Sequence, residues 1–463
     1  MQNKRGSLAD GIARSLRQQI ADGAFRRGEK LPSIRDLVRM HGYSKNTVVE
    51  AYEQLVAIGE VRPKRGAGYF VSDEHEPEPA ASAGPSARLR EAIDTVWMLR
   101  EQTNNDPLHL PLGHGIPPAS WLADCRPERY QQQVLRASAG RMHQYGNRFG
   151  YTALRQVLER RLYSIGIHAN ANQIVTTNGA NHAMDLIIRC LLRAGDTVLV
   201  DEPGYYPLFG KIKLHGAIPV GVPRLADGPD LDVLEHLLKT TRARLFFTQS
   251  VGQNPTGSDT APSKAHRILQ LADRYDMIVV ENDPLADLKP AAAARIATLD
   301  QLRRTVYIGS FTKSVSASLR VGFVACHTDL ADDLADVKML VQVSGSEYSE
   351  RLLDTILRDA RFTRYISKLK ARVKVETEKA LKVLDEAGAT LFAAPQESLY
   401  LWATLDAYPD SMELVREMLS RNISLAPGAV FYLDNQKRQA WCRYNVGYTH
   451  DPRFVAAIAA ARR

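Results

Sequence analysis

Along the first seventy residues, apolar positions recur at helical spacing. Leu8, Ile12, Leu16 and Ile20 repeat every fourth residue, which predicts a first helix with one apolar stripe, ending near Asp22-Gly23. Leu31-Pro32-Ser33 then offers a helix start, with Asp36 three residues on to complete a capping box. Leu37, Val38 and Met40 are the expected buried side of this second helix, and Gly42 its stop. Ser44 caps a predicted third helix, Lys45 to Ile58, whose Val48, Tyr52, Leu55 and Val56 face inward. Its first turn, Lys45-Asn46-Thr47, stays polar. The stretch from Val61 to Val71 then reads as two short strands around the basic, glycine-rich tip Lys64-Arg65-Gly66.

Beyond residue 72 the pattern is lost and then returns with a different period. Ser72 to Pro85 is rich in proline, alanine and acid, with no apolar anchor, and reads as an exposed linker. A helix from Arg88 to Arg100 is expected to lead out of it. Apolar runs follow at Gln173–Thr177, Thr197–Val200, Ile218–Val222, Leu245–Thr248, Met277–Val280, Val306–Ile308 and Val321–Ala325. Helical patterns separate several of them, so the expected body is α/β with a mainly parallel, doubly wound sheet. The expected division is a small helical head with a two-stranded tip at 1–72, a linker at 73–104 and a body at 105–463.

Composition sharpens this division. The 463 residues suffice for two or three domains, and 44% hydrophobic with 24% charged content suits a globular chain. No apolar run reaches the length of a membrane span, and no signal-peptide core is expected at the start. Residues 1–72 hold 13 Lys/Arg against 7 Asp/Glu, whereas the whole chain is +8, so the body carries only +2. A basic head on a nearly neutral body points to a polyanion partner for the head. Cys125, Cys190, Cys326 and Cys442 are scattered without metal-ligand or CxxC spacing, which predicts core thiols of a reducing cytoplasm and no metal site.

The chemistry concentrates after strand ends, where ligands of such sheets sit. Tyr307-Ile308-Gly309-Ser310-Phe311-Thr312-Lys313 places a hydroxyl three residues before a lysine, and Arg320 comes seven later. That spacing suits a lysine forming a Schiff base with pyridoxal 5'-phosphate (PLP), with Ser310 and Arg320 gripping the phosphate. Gly179, Ala180 and Asn181 open a helix whose N–H groups make a phosphate seat. Tyr205 can stack on the pyridine ring, and Asn254 of Asn254-Pro255-Thr256-Gly257 offers an amide to the ring hydroxyl. Asn282 or Asp283 then stands where a partner for the ring nitrogen is needed.

Two resemblances follow from these residues. Gly28 to Leu37, Ser44 to Val48 and Gly66 to Val71 resemble the winged helix of the GntR superfamily. The resemblance implies contacts to double-stranded operator DNA by Arg35, Ser44, Lys45, Asn46 and Thr47, with Lys64, Arg65 and Gly66 in the wing. Residues from about 105 to 460 resemble fold-type I PLP enzymes, with a smaller C-terminal α+β subdomain. The whole chain is similar to the MocR subfamily of GntR regulators. That likeness implies a homodimer in which Tyr145 reaches the partner's PLP phosphate, and Arg443 clamping the carboxylate of an amino-compound effector.

One departure bears on activity. The family's acid-acid-x-tyrosine run is here Asn282-Asp283-Pro284-Leu285. Counted from Leu285 the nitrogen partner is Asn282; shifted by one it is Asp283. An aspartate keeps the ring nitrogen protonated, whereas an asparagine supplies no charge. Three readings compete: a PLP-dependent regulator sensing PLP or an amino compound, an aminotransferase with a DNA-binding appendage, and a degenerate scaffold without cofactor. Lys313, Ser310 and Arg320 together oppose the third; the winged helix and the Asn282/Leu285 pattern oppose the second.

Overall fold

The computed structural model describes residues 8–21, 24–26, 28–64, 66–72, 109–138, 140–141, 143–395, 397–434 and 440–461. The chain divides into two compact units, 1–84 and 85–463. The expected linker and the helix at 88–100 lie outside the described residues, as does Arg65.

In the small unit, helices α1 (Leu8–Ala21), α2 (Ile34–His41) and α3 (Lys45–Ala57) precede a hairpin of β1 (Val61–Lys64) and β2 (Gly68–Val71). The Ser33 capping box forms, and Gly42 ends α2 in the left-handed conformation at φ 68°. Two inward assignments are corrected. Leu8 is 60% exposed and Met40 59%, because the contact stripes run through Ala9, Ile12, Ala13 and Leu16 in α1 and through Ile34, Leu37 and Val38 in α2. Tyr52 joins helix to wing, since its ring stacks on Tyr69 at 4.2 Å between centroids.

The large unit is built on an eight-stranded sheet of order β3-β10-β9-β8-β7-β4-β5-β6. Its strands are β3 (Ile174–Thr177), β4 (Thr197–Glu202), β5 (Ile218–Leu225), β6 (Gly228–Pro229), β7 (Leu245–Thr248), β8 (Ile278–Asp283), β9 (Thr305–Ser310) and β10 (Gly322–Ala325). The run β5-β4-β7-β8-β9 is parallel, and β10 enters antiparallel between β9 and β3. All seven expected strands are present. Several continue past their apolar run into polar residues, so Asn282, Asp283 and Ser310 end strands and do not follow them. The ladder requires backbone, not apolar side chains, and it runs on to the pair Asp283–Gly309.

Side chains alternate across this sheet. Val198, Val200, Phe247, Val280 and Ile308 pack against α4 (Ala180–Leu191), α5 (Tyr206–His215) and α8 (Thr328–Gln342). Leu199, Phe246 and Val279 face α6 (Leu231–Thr241) and α7 (Pro262–Arg274) on the opposite side. Helix α9 (Ala360–Glu386) leads to an antiparallel sheet of order β11-β12-β14-β13, with β11 at Ala389–Leu391, β12 at Tyr400–Leu405, β13 at Ala426–Pro427 and β14 at Cys442–Asn445. This is the expected smaller subdomain. Among the described residues no helix is long and apolar enough to cross a membrane, and no cluster of metal ligands forms.

Candidate cofactor site and nucleic-acid interface

Lys313 lies in the turn after β9, and its surroundings make its amine easy to deprotonate. Burial, helped by the positive charge of Arg443, lowers its pKa from 10.5 to about 7, with Asp283 pulling weakly the other way. An amine that is about half neutral near pH 7 supplies the nucleophile that condensation with an aldehyde requires. The Lys313 ammonium end lies 5.0 Å from the centroid of the Tyr400 ring.

A cradle for an anion forms beside it. Arg320, in a left-handed backbone conformation (φ 53°), turns its guanidinium back so that Nη2 donates to the Asn178 carbonyl at 2.9 Å. The Thr312 backbone N–H donates to Ser310 Oγ at 3.3 Å, and Thr312 Oγ1 accepts weakly from Arg320 Nη1 at 3.5 Å. Gly179 precedes α4 at φ 80°, and a Cβ there would lie 2.6 Å from Arg320 Nη2. Only glycine leaves that space open. Ala180 and Asn181 begin the helix, with Asn181 Oδ1 buried and unpartnered among the described residues.

Alternation along β8 separates Asn282 from Asp283. In the parallel register Asn282 stands beside Ile308, on the face that also carries Ser310. Asn282 lines a small cavity with Tyr205, Gln249, Gln253 and Met184, and its Oδ1 has no hydrogen-bond partner among the described residues. Asp283 points to the other face. Its Oδ2 accepts from Arg295 Nε at 2.6 Å and from the Tyr307 hydroxyl at 3.0 Å, all of it buried. The acid of this pair is therefore held in a structural ion pair, and the amide faces the cavity.

Arg443, on β14, is 1% exposed and pairs with no carboxylate among the described residues. Its Nη2 and Nε donate to the Gly113 carbonyl at 2.6 and 3.2 Å, and Nη1 donates to Asn254 Oδ1 at 2.7 Å. Phe431 and Tyr400 lie 5.0 and 5.2 Å from its guanidinium. Burial pulls its pKa down. Asn254, expected at a ring hydroxyl, is thus also a support for Arg443. The residues that the spacing did not reveal are Thr312, Gly113 and Tyr400, whose hydroxyl donates to the Gly115 carbonyl at 2.9 Å. Tyr145 is not brought to Lys313: it is 82% exposed, in a separate cleft with Arg141, Ser344, Glu347 and Arg351.

In the small unit, Arg35, Lys45 and Asn46 are exposed, as is Gly66 at the wing tip. Ser44 Oγ accepts from the Thr47 backbone N–H at 3.1 Å and bonds its hydroxyl at 2.7 Å, so these two side chains chiefly build the helix start. Lys64 lies over the Phe70 ring at 4.6 Å.

The residues present fit PLP: a nucleophilic lysine, a glycine-floored anion cradle, an aromatic ring at Tyr205 and an unpartnered buried amide. The comparisons agree. Residues 110–459 match the family model for aminotransferase class I and II, and residues 8–71 that for bacterial regulatory proteins of the gntR family. The chain is 27% identical over 464 residues to YdcR, an uncharacterized HTH-type transcriptional regulator of Escherichia coli, covering 96% of each. It is 26% identical over 339 residues to aromatic-amino-acid aminotransferase 1 of Thermococcus litoralis, covering 71% of this chain and 81% of that one. Among solved structures, LysN, the alpha-aminoadipate aminotransferase of Thermus thermophilus, superposes with a TM-score of 0.72 at 24% identity, covering 80% of this chain and 97% of that one.

Proposed function

The chain belongs to the aminotransferase class I and II family and carries a gntR-family domain at its N-terminal end, a MocR-type arrangement, and on that premise we propose that it is a PLP-dependent, DNA-binding transcriptional regulator. The small unit reads a double-stranded operator through Arg35, Lys45 and Asn46, with Lys64 and Arg65 on phosphates. The large unit receives the cofactor and an amino-compound effector. When bound, PLP supplies an aldehyde for covalent attachment to an amine and a ring able to draw off electrons.

Lys313 Nζ would be the attachment point, and its lowered pKa supplies a share of free amine near neutral pH. Ser310, Thr312, Gly179, Ala180 and Arg320 would hold the cofactor's phosphate, and Tyr205 would support its ring. Arg443 takes the effector's carboxylate as a two-pronged pair, filling the place of the counter-ion it lacks. Tyr145, exposed on its own subunit, completes the site of a second copy in a cytoplasmic homodimer.

The observation that carries the regulator reading is Asn282. An acid at this place would fix a positive charge on the ring nitrogen and help it stabilise a carbanion; an amide does not. The site therefore favours capture of an amine over turnover. The test is an absorbance titration of the PLP-loaded protein with a panel of amino acids and amines, with keto products assayed in parallel. A spectral shift without product is expected. Steady product formation at enzyme-like rates would establish the aminotransferase instead.

A further inference from the structure

Helix α9 carries an unneutralised row of cations on the large unit. Between residues 361 and 374 it holds Arg361, Arg364, Lys368, Lys370, Arg372 and Lys374 and no acid. Arg361 is paired with Asp359. Among the described residues the other five form no ion pair and no hydrogen bond to a carboxylate, although most charged side chains elsewhere on this unit do. Arg303 and Arg304, for example, share Asp273, and Arg148 bridges Asp332 and Asp336. The whole body has an excess of only two positive charges, so this one stretch is locally far more basic than its surroundings.

The placement is geometric as well as compositional. The helix buries Phe362, Tyr365, Leu369 and Val373, which turns Arg364, Lys368, Arg372 and Lys374 to solvent. Arg364, Lys368 and Arg372 follow at four-residue spacing and form one ridge, with a rise of about 6 Å between neighbours. The ridge from Arg364 to Arg372 is about 12 Å long, and Lys374 stands across the same solvent-facing side. A B-DNA strand presents a phosphate about every 3.4 Å along its axis, so a ridge of this length faces about three or four of them. Arg372 is steadied by Trp121, 5.9 Å from its guanidinium.

We propose that this face of α9 is a second DNA-contacting surface, which binds the phosphate backbone of duplex DNA without reading its sequence. The proposal rests on the regulator reading of the small unit. It adds that the large unit itself grips DNA, so affinity depends on more than the winged helix.

The experiment uses the full-length chain and a 60-base-pair duplex of arbitrary sequence. Affinity is measured as a function of salt for wild type, for the triple variant Arg364→Gln/Lys368→Gln/Lys374→Gln, and for Lys45→Ala in the small unit. Each phosphate contact contributes a slope of about 0.9 in log affinity against log salt, so the triple variant is expected to lose about 2 to 3 units of slope. Its circular dichroism and its PLP absorption should match wild type, because the three side chains are solvent-facing. A triple variant that binds with the wild-type slope, while Lys45→Ala weakens binding, overturns the α9 surface and leaves the winged-helix reading standing. If Lys45→Ala is silent and the triple variant is not, the winged-helix assignment fails and the α9 surface stands.

Discussion

In the small unit Arg35 and Lys45 stand in solvent, whereas in the large unit Arg443 and the amine of Lys313 sit beneath the surface. The first kind of charge attracts a polyanion from a distance, is screened by salt, and tolerates imprecise placement. The second kind acts only on what enters its cavity. There the low dielectric strengthens each interaction and makes an unpaired group costly. One chain thus combines two kinds of recognition. On the proposed reading, the exposed cations find and hold a nucleic acid, and the enclosed ones distinguish a small molecule. What differs between the units is burial, not residue type.

The sharpest way to break this contrast is the titration of Lys313. An ordinary lysine near 10.5 is neutral in only about one molecule in a few thousand at pH 7. With its pKa lowered to about 7, Lys313 is about half neutral there. Its rate of attachment to PLP, followed by absorbance in cofactor-free protein, should rise with pH through a midpoint near 7 and then level off. Lys313→Ala should show no adduct on this residue after borohydride trapping and mass spectrometry. The same shift has a stability consequence. The unfolded chain holds this proton up to about 10.5 and the folded chain releases it near 7, so this group's contribution to stability rises with pH between those values and is flat below about 7. A midpoint close to 10 would show that Lys313 is as solvated as the lysines of the small unit, and the contrast would be gone.

Arg443 gives the next largest effect. Its guanidinium is enclosed by Gly113, Asn254, Phe431 and Tyr400 and lacks an acidic partner among the described residues. Arg443→Met keeps the apolar stem and removes the charge. Removing one member of a buried charge-assisted pair costs about 2–5 kcal/mol, so affinity for carboxylate-bearing effectors should fall by about one and a half to three and a half orders of magnitude. Binding of amines that lack a carboxylate should change little, and PLP loading should persist. Equal losses for both ligand classes, measured by isothermal titration calorimetry, would mean that Arg443 is a structural residue and not a selector.

How much of this could be read beforehand depended on whether the signal was local. The Ser33 capping box, the Gly42 stop and the seven strands each follow from neighbouring residues, and each is present. Lys313, Ser310 and Arg320 could be grouped because one short segment, 310–320, carries all three. Tyr400 and Gly113 were not, since they come from β12 and from the loop at 111–115, 87 residues after and 200 before Lys313 in the chain. No spacing rule joins such positions. Asn282 and Asp283 fall between these cases: the letters alone left both open, and only the register with β9 shows which face each occupies. Leu8 and Met40 failed for a related reason, as apolar character does not say which side of a short helix finds a neighbour.

The smallest expected effect sharpens the contrast from the side of stability. The small unit rests on a core of twelve buried side chains, Ala9 to Val71, while the large unit has three extensive clusters. A small core makes local devices matter more. Ser33 is such a device: its Oγ accepts from the Asp36 backbone N–H at 3.2 Å, and the Asp36 carboxylate, held below its usual pKa by that same serine, accepts from the Ser33 backbone N–H in return. Ser33→Ala removes the side-chain half of this exchange and should cost about 1 kcal/mol of helix stability. In the full-length chain, amide hydrogen exchange in α2 should accelerate about fivefold, while β7, β8 and β9 keep their protection. Unchanged exchange in α2 would mean that the winged helix does not depend on its caps. Acceleration spreading into the sheet would mean that the two units unfold as one, and that exposed and enclosed charges belong to a single cooperative body.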